Sequence, residues 1–333
     1  MGRRKRPGAP LLFALGAVVL LLSASWSLCA GVSGYSLWDM LSSLLSGGGT
    51  AAHILLYVRL PRTLAALLCG SALAVGGVII QTVLANPMAG PSIVGVNAGA
   101  GFAVALYLAL FPTGAAFLPL AAFAGALGAM LLISFVARKT WASKTTLILA
   151  GVAINALLGS ASDAVFTLWP DALLGASAFK IGSFAGVNLR TLLPAAALIV
   201  LALALALCLG NEMDVLALGD DTARSLGLPV SRTRFLLLLC AAALAGASVS
   251  FAGLVGFVGL IVPHALRLAV GGESRCLLPL SILYGASFTL LCDTACRLLF
   301  APYEFPVGIA LSFLGTPFFL WLLLRNRRRR AHD

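Results

Sequence analysis

The sequence predicts an all-α polytopic membrane protein of about ten transmembrane helices, and three observations carry that prediction. Hydrophobic residues make up 61% of the 333 and charged residues only 10%, where a soluble globular chain carries roughly 25% charged residues. The mean hydropathy is +1.05. The apolar residues fall into runs of about one bilayer thickness, broken by short polar segments that hold most of the arginines and lysines.

Taken in order, the runs lie near 11–31, 62–84, 92–111, 114–137, 145–169, 189–210, 233–251, 254–270, 277–300 and 306–324. The first follows Arg3-Arg4-Lys5-Arg6 and resembles a signal peptide in layout. Its apolar stretch exceeds the roughly 7–15 residues of a cleaved h-region, so it reads as an uncleaved first helix.

An even number of spans puts both termini on one side, and Arg3 to Arg6 with Arg327 to Arg330 make that side cytoplasmic. Arg138, Lys139, Lys144, Arg224, Arg232, Arg234, Arg267 and Arg275 then fall in cytoplasmic loops. Only Arg59, Arg62, Lys180, Arg190 and Arg297 fall outside. The net charge of +11 is thus a topological signal, and nucleic acid is excluded as a partner.

The second span, with its flanks, is the most informative. Arg59 and Arg62 bracket Pro61 at its start, and Gln81 with Asn86-Pro87-Met88-Ala89-Gly90-Pro91 closes it. Glycines crowd this and other spans, among them Gly70, Gly76, Gly77, Gly95, Gly99, Gly101, Gly256 and Gly259. Small residues at three- and four-residue spacing let helices approach closely where no hydrophobic force draws them together. A faint match of Cys69, Leu73 and Ala74 with Cys240, Leu244 and Ala245 relates the second span to the seventh. Those spans run in opposite directions, as in an inverted repeat.

Six of the seven cysteines lie inside apolar runs without metal-ligand spacing and read as small buried hydrophobes; no metal or cofactor is expected. Asp163, in the fifth span, is expensive in lipid and is expected to face the bundle or a water-filled path. His264, beside Pro263, reads as structural.

Residues 211–234 form the longest polar stretch between spans and hold four of the eleven acidic residues. Asp220 or Asp221 is expected to cap a short helix through Thr222, Ala223, Arg224, Ser225 and Leu226, with Gly227 closing it and Pro229 preventing continuation. Neither strongly basic nor aromatic, this helix suits a protein docking surface better than a lipid surface. No GxxxxGK[ST] phosphate loop occurs, so ATP use requires a separate subunit and the chain itself is not an enzyme.

These residues meet a known family. Arg59-Leu60-Pro61-Arg62; Gln81 with Asn86 to Pro91 and Gly95; Gly219-Asp220-Asp221-Thr222-Ala223-Arg224-Ser225-Leu226-Gly227; Gly256 to His264 with Arg267; and Glu304-Phe305-Pro306-Val307-Gly308 occur in the order and spacing of FecCD/BtuC-like permeases. The chain resembles that family over essentially its whole length, 1–333, as one transmembrane domain with a cytoplasmic coupling loop at about 211–234.

The resemblance implies a type II ABC importer permease for an iron siderophore, haem or vitamin B12, sited in the cell membrane and in the inner membrane of a Gram-negative source. It implies a homodimer, two cytoplasmic ABC ATPase subunits and an extracytoplasmic substrate-binding protein. It assigns ATPase coupling to residues 219–227, binding-protein docking to Arg59, Arg62 and Arg297, and a gate to Asn86 and Met88 with Ser143 and Thr145. Lys144 stands where the family's gate has a small polar residue. Arg297 also lies four residues after Asp293, the spacing of an intrahelical ion pair. The reading from another class is an ion-coupled secondary transporter in which Asp163 carries the proton.

Overall fold

The computed structural model describes residues 8–31, 35–46, 49–112, 116–139 and 144–330, and among them every regular element is helical. The helices are α1 (Ala9–Cys29), α2 (Leu37–Leu45), α3 (Thr50–Ile54), α4 (Leu60–Val83), α5 (Val96–Leu110), α6 (Leu118–Lys139), α7 (Lys144–Leu168) and α8 (Pro170–Ile181). There follow α9 (Leu189–Cys208), α10 (Gly210–Ala217), α11 (Asp220–Ser225), α12 (Val230–Ala252), α13 (Val258–Val270), α14 (Ser274–Leu299) and α15 (Val307–Arg330).

Among the described residues, seven helical stretches are long and apolar enough to cross a bilayer, and three shorter apolar helices, α5, α13 and the first part of α15, fill the remaining places. Together they match the ten expected spans. Helix α3 runs through a π-helical turn, Leu55–Arg59, into α4, giving one continuous helix of 34 residues.

Helix α4 is the axis of the molecule. It is the most buried of the long helices and packs against α12, α13 and α14, while α1 lies outside on α14 and α5 pairs with α6 and α7. Glycine permits the closest of these contacts: a Cβ on Gly70 would strike the backbone of Gly285 in α14, and one on Gly77 the backbone of Gly259 in α13. The same holds for Gly99 in α5 against Gly125 in α6, whereas Gly101 and Gly256 face open space and have no packing role.

Other expectations are adjusted. Cys69, Cys240, Cys292 and Cys296 are buried free thiols, but Cys29 and Cys208 are exposed on the helix surface. Asp163 does not face the bundle: its side chain is exposed on α7. The break between α12 and α13 spans Gly253 to Phe257, because Gly253 (φ 70°) and Phe257 (φ 65°) both have positive φ, Phe257 in the left-handed helical conformation.

Candidate functional site: the two ends of the helix bundle

One end carries the α10–α11 segment. The polar stretch after α9 is not a single loop: Leu209 alone separates α9 from α10, which packs on α4 and α14. The Asp214 carboxylate accepts a hydrogen bond from the backbone N–H of Ser274 at 2.9 Å, so α10 caps α14 from across the fold.

Helix α11 begins at Asp220, with Gly219 (φ 106°) at the cap position and no side-chain cap. The expected aspartate cap is corrected: Asp220 is drawn away by Arg234 of α12, whose Nη2 donates to it at 2.7 Å. Asp221 pairs instead with Arg224, both exposed, at 3.3 Å. The C-terminus is as expected. Gly227 (φ 83°) is left-handed, with Gly227 N–H bonded to Arg224 O and Leu228 N–H to Ala223 O, and Pro229 follows. Ala223 is buried and anchors the helix, while Leu218 and Leu226 project from either side of it into solvent.

The opposite end, reached along the 26 residues of α14, holds a buried charge cluster. Arg62 of α4 donates through Nε and Nη2 to Asp293 of α14, with distances of 3.0 to 3.2 Å, and through Nη1 to Glu304 at 3.0 Å. Arg297 lies 3.2 Å from Asp293 and donates through Nη2 to Ser27 Oγ at 2.8 Å. Arg59 donates to the carbonyls of Leu28 and Cys29 at 2.6 and 2.8 Å, at the C-terminus of α1. Cations at that carbonyl end satisfy orphan acceptors and the helix dipole together.

Thus the three arginines do come together, but turned inward: Arg59 is 3% and Arg62 5% exposed, and Asp293 is fully buried. The intrahelical pairing of Arg297 with Asp293 is present. What the sequence concealed is the partner of Arg62, which lies 231 residues away in the chain. Glu304 is the exposed member, with 60% of its side chain accessible.

Between the ends, Asn86 Oδ1 accepts from the Met88 backbone N–H at 3.0 Å, and Ala85 before it has φ 47°. Ala85 and Phe257 are the non-glycine residues in the left-handed region among those described, and both sit at breaks between membrane helices. Asn155 of α7 donates to Ser92 O at 2.9 Å, so α7 is fastened to the loop that follows Asn86 and Met88. Thr145 belongs to the first turn of α7, and Ser143 lies outside the described residues. Gln81 is buried, donating to Gly259 O at 3.1 Å, and His264 meets the Phe318 ring edge-on.

A third feature had no clear signal in the sequence. The end of α8, the α12–α13 break and the start of α15 meet through backbone hydrogen bonds: Leu254 N–H to Phe179 O, Ser183 N–H to Ala252 O and Gly308 N–H to Gly182 O. Gly253 and Gly308 allow this, since a Cβ on either would strike a carbonyl of α8. Over the junction opens a cleft of about 560 Å³, lined in part by Lys180, Leu254, Ser312, Phe313 and Thr316.

A bundle of apolar helices with a short solvent-projecting helix at one end and a buried ion cluster at the other is the architecture of a multi-pass membrane protein. Residues 17–325 match the FecCD transport family, and the chain belongs to it. It is 38% identical to the hemin transport system permease protein HmuU of Yersinia pestis, over 99% of this chain and all of that protein. It is 39% identical to the Fe(3+) dicitrate transport system permease protein FecD of Escherichia coli (87% and 91% covered), and 38% identical to the vitamin B12 import system permease protein BtuC of Vibrio cholerae (95% and 92%). A solved inward-facing structure, assigned to the metal-chelate type of ABC transporter, superposes with a TM-score of 0.84 at 30% identity, covering 95% of this chain and 99% of that one.

Proposed function

We propose that this protein is the membrane-spanning subunit of an ATP-driven importer for an iron chelate, haem or a cobalamin, working as a homodimer with two separate cytoplasmic ATPases and an external binding protein. The observation that carries this reading is α11. It is a short rigid helix tied by Asp220–Arg234 to α12, carried by α10 against α4 and α14, and flanked by exposed Leu218 and Leu226. Such a helix can seat in a partner's cleft and pass a movement to three of the bundle's helices. Residues 219–227 are accordingly the coupling element, and both termini lie with them in the cytoplasm.

At the outer end three guanidiniums face two carboxylates, Asp293 and Glu304, leaving one positive charge in excess. That surplus favours an acidic donor-protein surface, and a donor carboxylate can take the place of exposed Glu304 on Arg62. Arg59 and Arg297 hold the platform in shape. The gate is assigned to Asn86 and Met88 on the turn after α4, together with Thr145 at the start of α7 and Ser143 just before it in sequence. The exposed face of α7 supports the homodimer: Asp163 on it is costly against lipid, and a water-filled path between two copies relieves that cost.

Leu226→Glu tests the coupling assignment. The variant is expected to lose co-purification with the ATPase while its thermal unfolding stays unchanged, because Leu226 is exposed. Full retention of the ATPase would contradict the assignment.

A further inference from the structure

The cleft beneath α15 carries a charge that neither the fold nor the packing requires. Its floor is backbone, closed by the three hydrogen bonds that join α8, the α12–α13 break and α15. Its walls are apolar, with Ile181, Leu254, Ile309, Phe313 and Pro317, and the hydroxyls of Ser312 and Thr316 interrupt them. Ser312 gives its proton to Gly308 O at 2.9 Å, which leaves its oxygen an acceptor toward the cleft. The volume lies within the roughly 300–1,000 Å³ usual for a small-molecule site.

Lys180 is the single charged residue of this lining. Its ammonium stands 4.2 Å from the ring centroid of Phe166 in α7, a cation–π contact that holds the side chain across the α7–α8 angle. No carboxylate among the described residues pairs with it. An ammonium beside an apolar wall is best satisfied by water or by a counter-charge that the wall itself does not supply. Arg62 and Arg297 of the ion cluster are each given a carboxylate, and buried Arg59 and half-buried Arg267 bond backbone carbonyls; Lys180, exposed at the rim, is left open toward the cleft.

The geometry points to this cleft as a station for an anionic, carboxylate-bearing solute, with Lys180 as the residue that selects for its charge. The inference rests on the transport reading and narrows its substrate class: a chelate or porphyrin with free carboxylates is favoured over a solute without them. The apolar walls take the body of the ligand and the ammonium meets one carboxylate by a charge-assisted hydrogen bond.

The test uses proteoliposomes holding the permease with its ATPase and donor protein, and three probes: haemin and ferric dicitrate, which carry carboxylates, and cyanocobalamin, which has none. Lys180→Gln should lower the initial rate for the carboxylate probe that the wild type transports by roughly tenfold, the worth of one charge-assisted bond. Lys180→Arg should keep most of the rate. Because Lys180 is exposed, thermal unfolding of both variants should match wild type. Wild-type uptake of haemin or ferric dicitrate that Lys180→Gln leaves unchanged would overturn the inference and leave the transport reading intact. Wild-type uptake of cyanocobalamin alone would do the same. No ATP-dependent uptake of any probe would remove the transport reading and this inference with it.

Discussion

The two ends of the molecule use the same residue types in opposite ways. At the end proposed to face outward, Arg62 and Asp293 are buried between α4 and α14 and paired with one another, with half-buried Arg297 beside the same carboxylate; at the end proposed to face inward, Asp221 and Arg224 pair in open solvent, and Asp220 with Arg234 at its edge. Burial makes the outer charges a structural clasp, because a buried charge without its partner is strongly destabilising. Exposure makes the inner charges cheap, so that α11 can be held in place yet remain available to a partner.

The sharpest way to break this contrast is Asp293→Ala. It strands the guanidiniums of Arg62 and Arg297 and should cost about 3–5 kcal/mol, read as loss of stability in detergent unfolding. Arg62→Leu combined with Asp293→Leu should cost clearly less than the two single changes added together, since neither charge is then left alone. If the costs simply add, the clasp is not a coupled unit.

At the inner end Arg234→Ala should reduce stability by only about 1 kcal/mol, the partly exposed pair being weakly coupled. It frees α11 from α12, so ATP-driven uptake should fall by much more than unfolding measurements suggest. Equal effects on both would erase the distinction between clasp and lever.

The smallest effect belongs to α2. Hydrogen bonds from the Ser36 side chain and backbone hold the Asp39 carboxyl below its ordinary value and form the capping box of that exposed helix. With the folded value depressed, this stabilisation is complete above the unfolded value and is lost as pH falls through the folded one. Amide exchange in α2 should therefore accelerate at acid pH, and Asp39→Asn should flatten that dependence.

Much of this architecture was legible because it follows from hydrophobic length and chemistry near in sequence. The ten spans, the glycine contacts of α4 and the left-handed Gly227 are of that kind. The short helices α8 and α10 escaped notice because 12 and 8 residues fall below any spanning length and carry mixed polarity. The clasp escaped because sequence periodicity does not pair α4 with α14, so Arg62 carried only the docking role that the family resemblance implies. Gly219 rather than an aspartate holds the cap position of α11 because Arg234, brought close by the turn at Pro229, competes for Asp220 more strongly than the backbone does.

If α11 is the coupling element, the chain moves solute only when a separate ATPase works on it. Uptake of haemin, ferric dicitrate or cyanocobalamin into proteoliposomes containing permease and donor protein, compared with and without the ATPase subunit and ATP, tests it most directly. Uptake is expected only when both are present, and none under a proton or sodium gradient alone. Gradient-driven uptake without the ATPase, abolished by Asp163→Asn, would contradict it.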